Sequence, residues 1–81
     1  MSITTQTVYS LMQEADEDFG SIKWNIDRTL SIKRTNGIAA MYQVYECVLY
    51  RPGKRTLSKA FTIGKRPRPD KIMNWISSKA G

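Results

Sequence analysis

Val8, Leu11, Met12, Ala15 and Phe19 recur at helical spacing. Residues three and four apart stack on one side of a 3.6-residue turn, so these five form a continuous apolar stripe. The spacing predicts a helix over residues 7–19, after a flexible N-terminal stretch of residues 1–6. Thr4, Thr5 or Thr7 can cap its start, and Gly20 stands where a helix stop belongs. From Ser21 the period changes to two. Ile22, Trp24, Ile26, Leu30 and Ile32 hold even positions, polar residues hold the odd ones, and only Arg28 interrupts the apolar series. Such alternation marks a half-buried strand. A two-residue hairpin inside the segment would invert the phase, and the phase does not invert. The pattern therefore predicts one long strand, bent near Asp27.

Asn36-Gly37 marks a turn. A connection with an odd residue count sets Ile32 against Tyr42, Leu30 against Val44, Arg28 against Glu46, Ile26 against Val48 and Trp24 against Tyr50. Cross-strand pairs of this kind contribute a few tenths to ~1 kcal/mol each. A second strand over residues 40–50 follows, then a turn at residues 52–55. The third strand covers residues 56–63, with Leu57, Phe61 and Ile63 facing in. Lys59 breaks that face and is expected near Glu46 or snorkelling at an edge. After a basic loop at 64–69, Pro69 and Asp70 open a helix over 70–79. Ile72, Met73, Ile76 and Ala80 share its apolar side. The expected fold class is α+β, in the order α-β-β-β-α. One domain spans residues 1–81, with a three-stranded antiparallel sheet over 21–63 and both helices on its even face.

The phase of the strands assigns roles. Trp24, Tyr42, Tyr50 and Phe61 fall on the expected core side. Lys23, Asn25, Lys33, Gln43 and Tyr45 fall on the uncovered side, where Asn, Gln and Lys can reach base edges and Tyr45 can stack. Charge strengthens this reading. The net charge is +6, yet residues 1–20 hold four acids and no Lys or Arg, which leaves the other residues at +10. Glu14, Asp16, Glu17 and Asp18 crowd the end of the first helix, and Lys65, Arg66, Arg68 and Lys71 crowd the start of the last. Helix dipoles favour the reverse arrangement, and local rules broken in this way point to a functional surface. Arg51, Lys54 and Arg55 at one turn, with Lys65, Arg66 and Arg68 before the last helix, suit phosphate contacts.

Other chemistry finds little footing. The chain has no His, so it has no ordinary proton shuttle near neutral pH. One Cys makes neither a zinc cluster nor an internal disulfide. Cys47 sits among apolar residues and reads as packing. No phosphate-cradling glycine motif is present. Neither enzyme activity nor a metal or cofactor is expected, and no small-molecule substrate. No apolar run approaches the ~20 residues of a membrane span. The first residues lack a secretory pattern, so a cytoplasmic location without membrane contact is expected.

The stretch Tyr50-Arg51-Pro52-Gly53-Lys54-Arg55-Thr56-Leu57-Ser58, then Ile63-Gly64-Lys65, then a helix from Asp70, resembles the arm-type DNA-binding domain of phage and mobile-element tyrosine recombinases. The shared pattern is a basic glycine turn, a third strand opened by Lys or Arg, a glycine, and a helix. The resemblance covers residues 28–79 and implies a sheet laid in the major groove. This chain departs from it in an added acidic helix and in having no recombinase domain. Duplex DNA is therefore the expected partner of a free-standing domain or fragment. The alternative is a protein-binding inhibitor of a host nucleic-acid enzyme, with Glu14, Asp16, Glu17 and Asp18 imitating phosphates or the basic face docking on an acidic host protein. A third option is double-stranded RNA, whose binding domains share the helix–sheet–helix order.

Overall fold

A computed structural model describes residues 3–38, 41–63 and 68–80. Helix α1 covers Thr5–Glu17, two residues earlier than the apolar stripe suggests. The start is set by a reciprocal cap. Thr4 Oγ1 accepts from the Thr7 amide and Thr7 Oγ1 accepts from the Thr4 amide, both at 3.2 Å, which satisfies two amides that the helix itself leaves unpaired. Ile3, expected in the loose N-terminal stretch, is buried in the core. Val8, Leu11, Met12 and Ala15 are buried as their spacing demands, but Phe19 lies beyond the helix end and is exposed.

The sheet has four antiparallel strands rather than three, in the order β1 (Lys23–Trp24), β2 (Leu30–Asn36), β3 (Gln43–Leu49), β4 (Leu57–Thr62). The long bent strand does not form. Its first half is β1, and the chain then turns and pairs Lys23 with Ile32 and Trp24 with Ser31. Odd thus meets even, the phase inverts, and Ile22, Trp24 and Ile26 are exposed instead of buried. The next connection, Gly37 to Tyr42, also has an even residue count, closed by the Gly37 amide donating to the Tyr42 carbonyl at 2.8 Å. Ile32 therefore pairs with Cys47, not Tyr42, and Leu30 pairs with Leu49. An even loop turns β3 over, so Tyr42 and Tyr50 are exposed while Tyr45 is buried. Arg28 and Glu46 are not opposed, since Arg28 lies in the first turn and Glu46 faces Lys33. Lys59 sits above the Phe61 ring, 5.6 Å from its centroid, on the side of the sheet away from Glu46.

The register stacks residues into rows that share a face. Leu30–Leu49–Leu57, Ile32–Cys47–Lys59 and Arg34–Tyr45–Phe61 look toward the helices. Ser31–Val48–Ser58, Lys33–Glu46–Ala60 and Thr35–Val44–Thr62 look the other way. Helix α2, Pro69–Ala80, begins with Pro at its first position, as expected. It adds Ile72 and Ile76 to a single core shared by α1 and the strands. Both helices thus lie on one face, but that face is even in β2 and odd in β3 and β4.

Cys47 is fully buried, and burial, reinforced by the charge of Glu46, pushes its thiol up to about 12. The thiolate is the reactive species. In the native protein Cys47 is therefore expected to resist a disulfide reagent at neutral pH and to react only at the rate of unfolding. Thiol titration with and without denaturant checks this.

Candidate nucleic-acid interface

Four of the residues expected on an open reading face are held elsewhere. Tyr45 donates its hydroxyl to Asp16 Oδ1 at 2.6 Å, beneath α1. Arg34 Nη1 reaches the same oxygen at 3.1 Å, and Arg34 Nε donates to Gln43 Oε1 at 2.9 Å. Gln43 and Tyr45 thus anchor the end of the first helix and do not face solvent as a reading surface. Lys23 pairs with Asp18 at 2.8 Å on the helix side. Its ammonium, followed by the Ser21 hydroxyl, holds the Asp18 carboxyl below its ordinary value, and Asp18 in turn raises Lys23. The Asp18 contribution is present at neutral pH and fades as pH falls through that depressed pKa. The Lys23 contribution fades only as pH rises through its raised one.

Asn25 is a turn staple. Its Oδ1 accepts from the amides of Thr29 and Leu30 at 2.9 and 3.0 Å, and its Nδ2 donates to Asp27 Oδ1 and Thr29 Oγ1, both at 2.9 Å. Thr29 Oγ1 donates to Asp27 at 2.7 Å and holds that carboxyl below the usual range. Asn, Asp and Thr replace backbone partners in this way at turns. Arg28, at the tip, takes φ 57°, a conformation that non-glycine residues rarely adopt, and its guanidinium lies 5.8 Å from the Trp24 ring centroid.

Only Lys33, of the five sheet-face candidates, points away from the helices, and it lies 3.7 Å from Glu46. The outward residues of the central strand β3 are Val44, Glu46 and Val48. Such a row has no amide or guanidinium with which to read a base edge. The acidic block is divided too. Asp16 and Asp18 are bonded within the domain, while Glu14 and Glu17 remain exposed.

The basic turn fares differently. Arg51 donates through Nε and Nη2 to the Arg55 carbonyl at 3.3 and 2.9 Å, and through Nη1 to the Lys79 carbonyl at 3.2 Å. One guanidinium thereby ties the β3–β4 turn to the end of α2. Helical spacing puts Lys71, Trp75 and Lys79 on one stripe of α2, and Arg68 immediately precedes the helix. Arg68 approaches Asp70 at 3.7 Å, both exposed. Lys54, Arg55, Lys59, Lys71 and Lys79 form no ion pair among the described residues. Lys65 and Arg66, with most of the basic loop, lie outside the described residues. Lys59 and Lys79 were not among the candidates. A lysine on the inward side of an edge strand was the available signal for Lys59, and the i, i+4, i+8 spacing of Lys71, Trp75 and Lys79 was the signal for Lys79.

Replacing Asn25 with Ala is expected to lower stability by about 1–2 kcal/mol, because two turn amides and two side-chain partners lose their bonds. Nucleic-acid affinity of the folded fraction should not change. Paired thermal melts and binding titrations check both.

No protein family matches the chain, and neither a curated protein nor a solved structure does.

Proposed function

We propose that this chain is a small DNA-binding domain that grips the phosphate backbone with its second half. One observation carries the reading. Residues 1–49 hold six acids and four Lys or Arg, while residues 50–81 hold nine Lys or Arg and the single acid Asp70. In the first half Asp16–Arg34, Asp18–Lys23 and Glu46–Lys33 neutralise one another within the fold. The second half carries a net +8, and among its described residues Arg68–Asp70 is the one ion pair. Of its nine cations, Arg51, Lys54, Arg55, Lys59, Lys71 and Lys79 lie on the β3–β4 turn, β4 and α2, Arg68 immediately precedes α2, and Lys65 and Arg66 lie outside the described residues. Structure formation costs nothing by leaving these cations in water, and a polyanion releases counterions when they bind it.

The contacts follow from placement. Lys54 and Arg55 project from the turn that Arg51 braces, with Lys79 beside them. Lys71 lies on the first turn of α2, and Arg68 immediately precedes it. These groups hold phosphates without reading bases. The open sheet face, with Glu46 at its centre and short hydroxyls around it, adds little sequence discrimination. The domain is therefore sequence-tolerant. A protein partner is the second reading, favoured by Ile26, Ile38 and Met41, which stand almost wholly exposed on two loops.

Affinity for duplex DNA should fall steeply with salt. With about four phosphates neutralised, the logarithm of the binding constant should fall with a slope of about −4 against the logarithm of salt concentration. Neutralising Lys54 and Arg55 together to Gln should reduce that slope by about 2. Fluorescence anisotropy at several salt concentrations measures both, and absence of binding at low salt rejects the proposal. Capture of a stoichiometric protein from nuclease-treated lysate, without DNA affinity, would favour the second reading.

A further inference from the structure

β4 is the outer strand of the sheet, and α2 runs beside it. Between them lies a groove of about 590 Å³, inside the roughly 300–1,000 Å³ range of small-ligand sites. Its floor is aromatic. Phe61 and Trp75 meet edge to face, with centroids 5.9 Å apart and planes at 73°. In such a pair Phe61 covers at most one face of the indole, and Trp75 is only half-buried. Lys59 and Lys71 line the groove from the strand and the helix, and Asn74 lines it beside Trp75.

The strand contributes backbone as well. Ile63 donates its amide to the Gln43 carbonyl at 2.9 Å. Antiparallel ladders alternate bonded and non-bonded pairs, so the odd residues of β4 bond to β3. The amides and carbonyls of Ala60 and Thr62, both groove residues, then point to the open edge. The groove thus combines a partly uncovered π-face, backbone and side-chain amides that can both donate and accept, and two ammonium groups.

We infer that this groove takes an unpaired nucleotide, with its base stacked on Trp75, its polar edge against Asn74 and the β4 edge, and its phosphates at Lys59 and Lys71. The inference rests on the nucleic-acid reading above and narrows it. A base inside a duplex has both faces stacked and its pairing edge occupied, so it can use the lysines but not the indole. An unpaired base uses all of them. An acidic peptide added along β4 would use the edge and the lysines and leave the indole without a role, which makes it the weaker occupant.

The chain has two tryptophans, so Trp24→Phe leaves Trp75 as the sole indole reporter. This variant is titrated with short oligo(dT), oligo(rU) and a blunt-ended DNA hairpin whose loop is a non-nucleotide ethylene-glycol linker, so that every base is paired, at low and physiological salt. The expected result is quenching of Trp75 by a single strand, the stronger of the two naming the sugar, with no quenching by the bound hairpin. In the otherwise natural chain, Trp75→Leu should weaken single-strand binding about tenfold and leave hairpin binding unchanged. Lys59→Gln with Lys71→Gln should weaken single-strand binding with the core rings intact, which covers the case in which Trp75→Leu melts early. Single-strand binding without quenching, or undiminished in folded Trp75→Leu, overturns the inference and leaves phosphate binding standing. Failure of every nucleic acid to bind at low salt removes the broader reading as well. Quenching by a poly-glutamate peptide, and by no oligonucleotide, assigns the groove to a protein strand and overturns the inference.

Discussion

The carboxylate of Asp16 is the point on which this small fold turns. It accepts from the hydroxyl of buried Tyr45 at 2.6 Å and from Arg34 at 3.1 Å, and Arg34 in turn donates to Gln43. One acid at the end of α1 is thereby tied to β2 and β3 together. A buried hydroxyl or guanidinium without a partner costs on the order of 1–3 kcal/mol, so the cluster tells the two sides of β3 apart. With β3 reversed, Tyr45 and Gln43 would face water, Val44 and Val48 would lie under the helices, and Arg34 would lose Gln43. Acids late in a helix oppose its dipole. Here Arg34 and Lys23 from the sheet offset that opposition.

This internal neutralisation shapes the outside of the molecule. Lys23, Lys33 and Arg34 of the first half are drawn into pairs with Asp18 and with the acids of α1 and β3, whereas among the described cations of the second half only Arg68 meets an acid. The described cations of the second half lie on the β3–β4 turn and β4 and on or just before α2. Arg51 joins the turn to the end of α2 by bridging the carbonyls of Arg55 and Lys79, an arrangement that also suits a cation at a helix C-terminus.

Helix α2 serves two purposes with adjacent stripes. Ile72 and Ile76 close the core, while Lys71, Trp75 and Lys79 follow on the neighbouring side. Trp75 lies at the border, packed edge to face against Phe61 and still partly open. An aromatic residue in that position joins the stability of the core to the chemistry of the groove, because the contact that seats the ring also orients it.

Both helices, β4 and the basic turn were legible from the chain because each carries one strong local signal. Residues 8–15 and 72–76 have a single apolar period, Leu57 and Phe61 alternate with polar neighbours, and Pro52-Gly53 punctuates a cationic run. The turn that separates β1 from β2 and the inward face of β3 were not legible, although a strand was expected where β3 lies. In residues 21–32 every even position but Arg28 is apolar, which concealed a turn formed by the side chains of Asn25, Asp27 and Thr29. In residues 42–50 either alternate set, Tyr42-Val44-Val48-Tyr50 or Tyr45-Cys47-Leu49, makes a plausible core face. Parity along a strand is a local property, but which parity faces inward depends on whether the preceding loop has an odd or even count and on partners far along the chain. Gly37 closing on Tyr42, and Asp16 waiting above Tyr45, supply that information only once the helix and sheet have met.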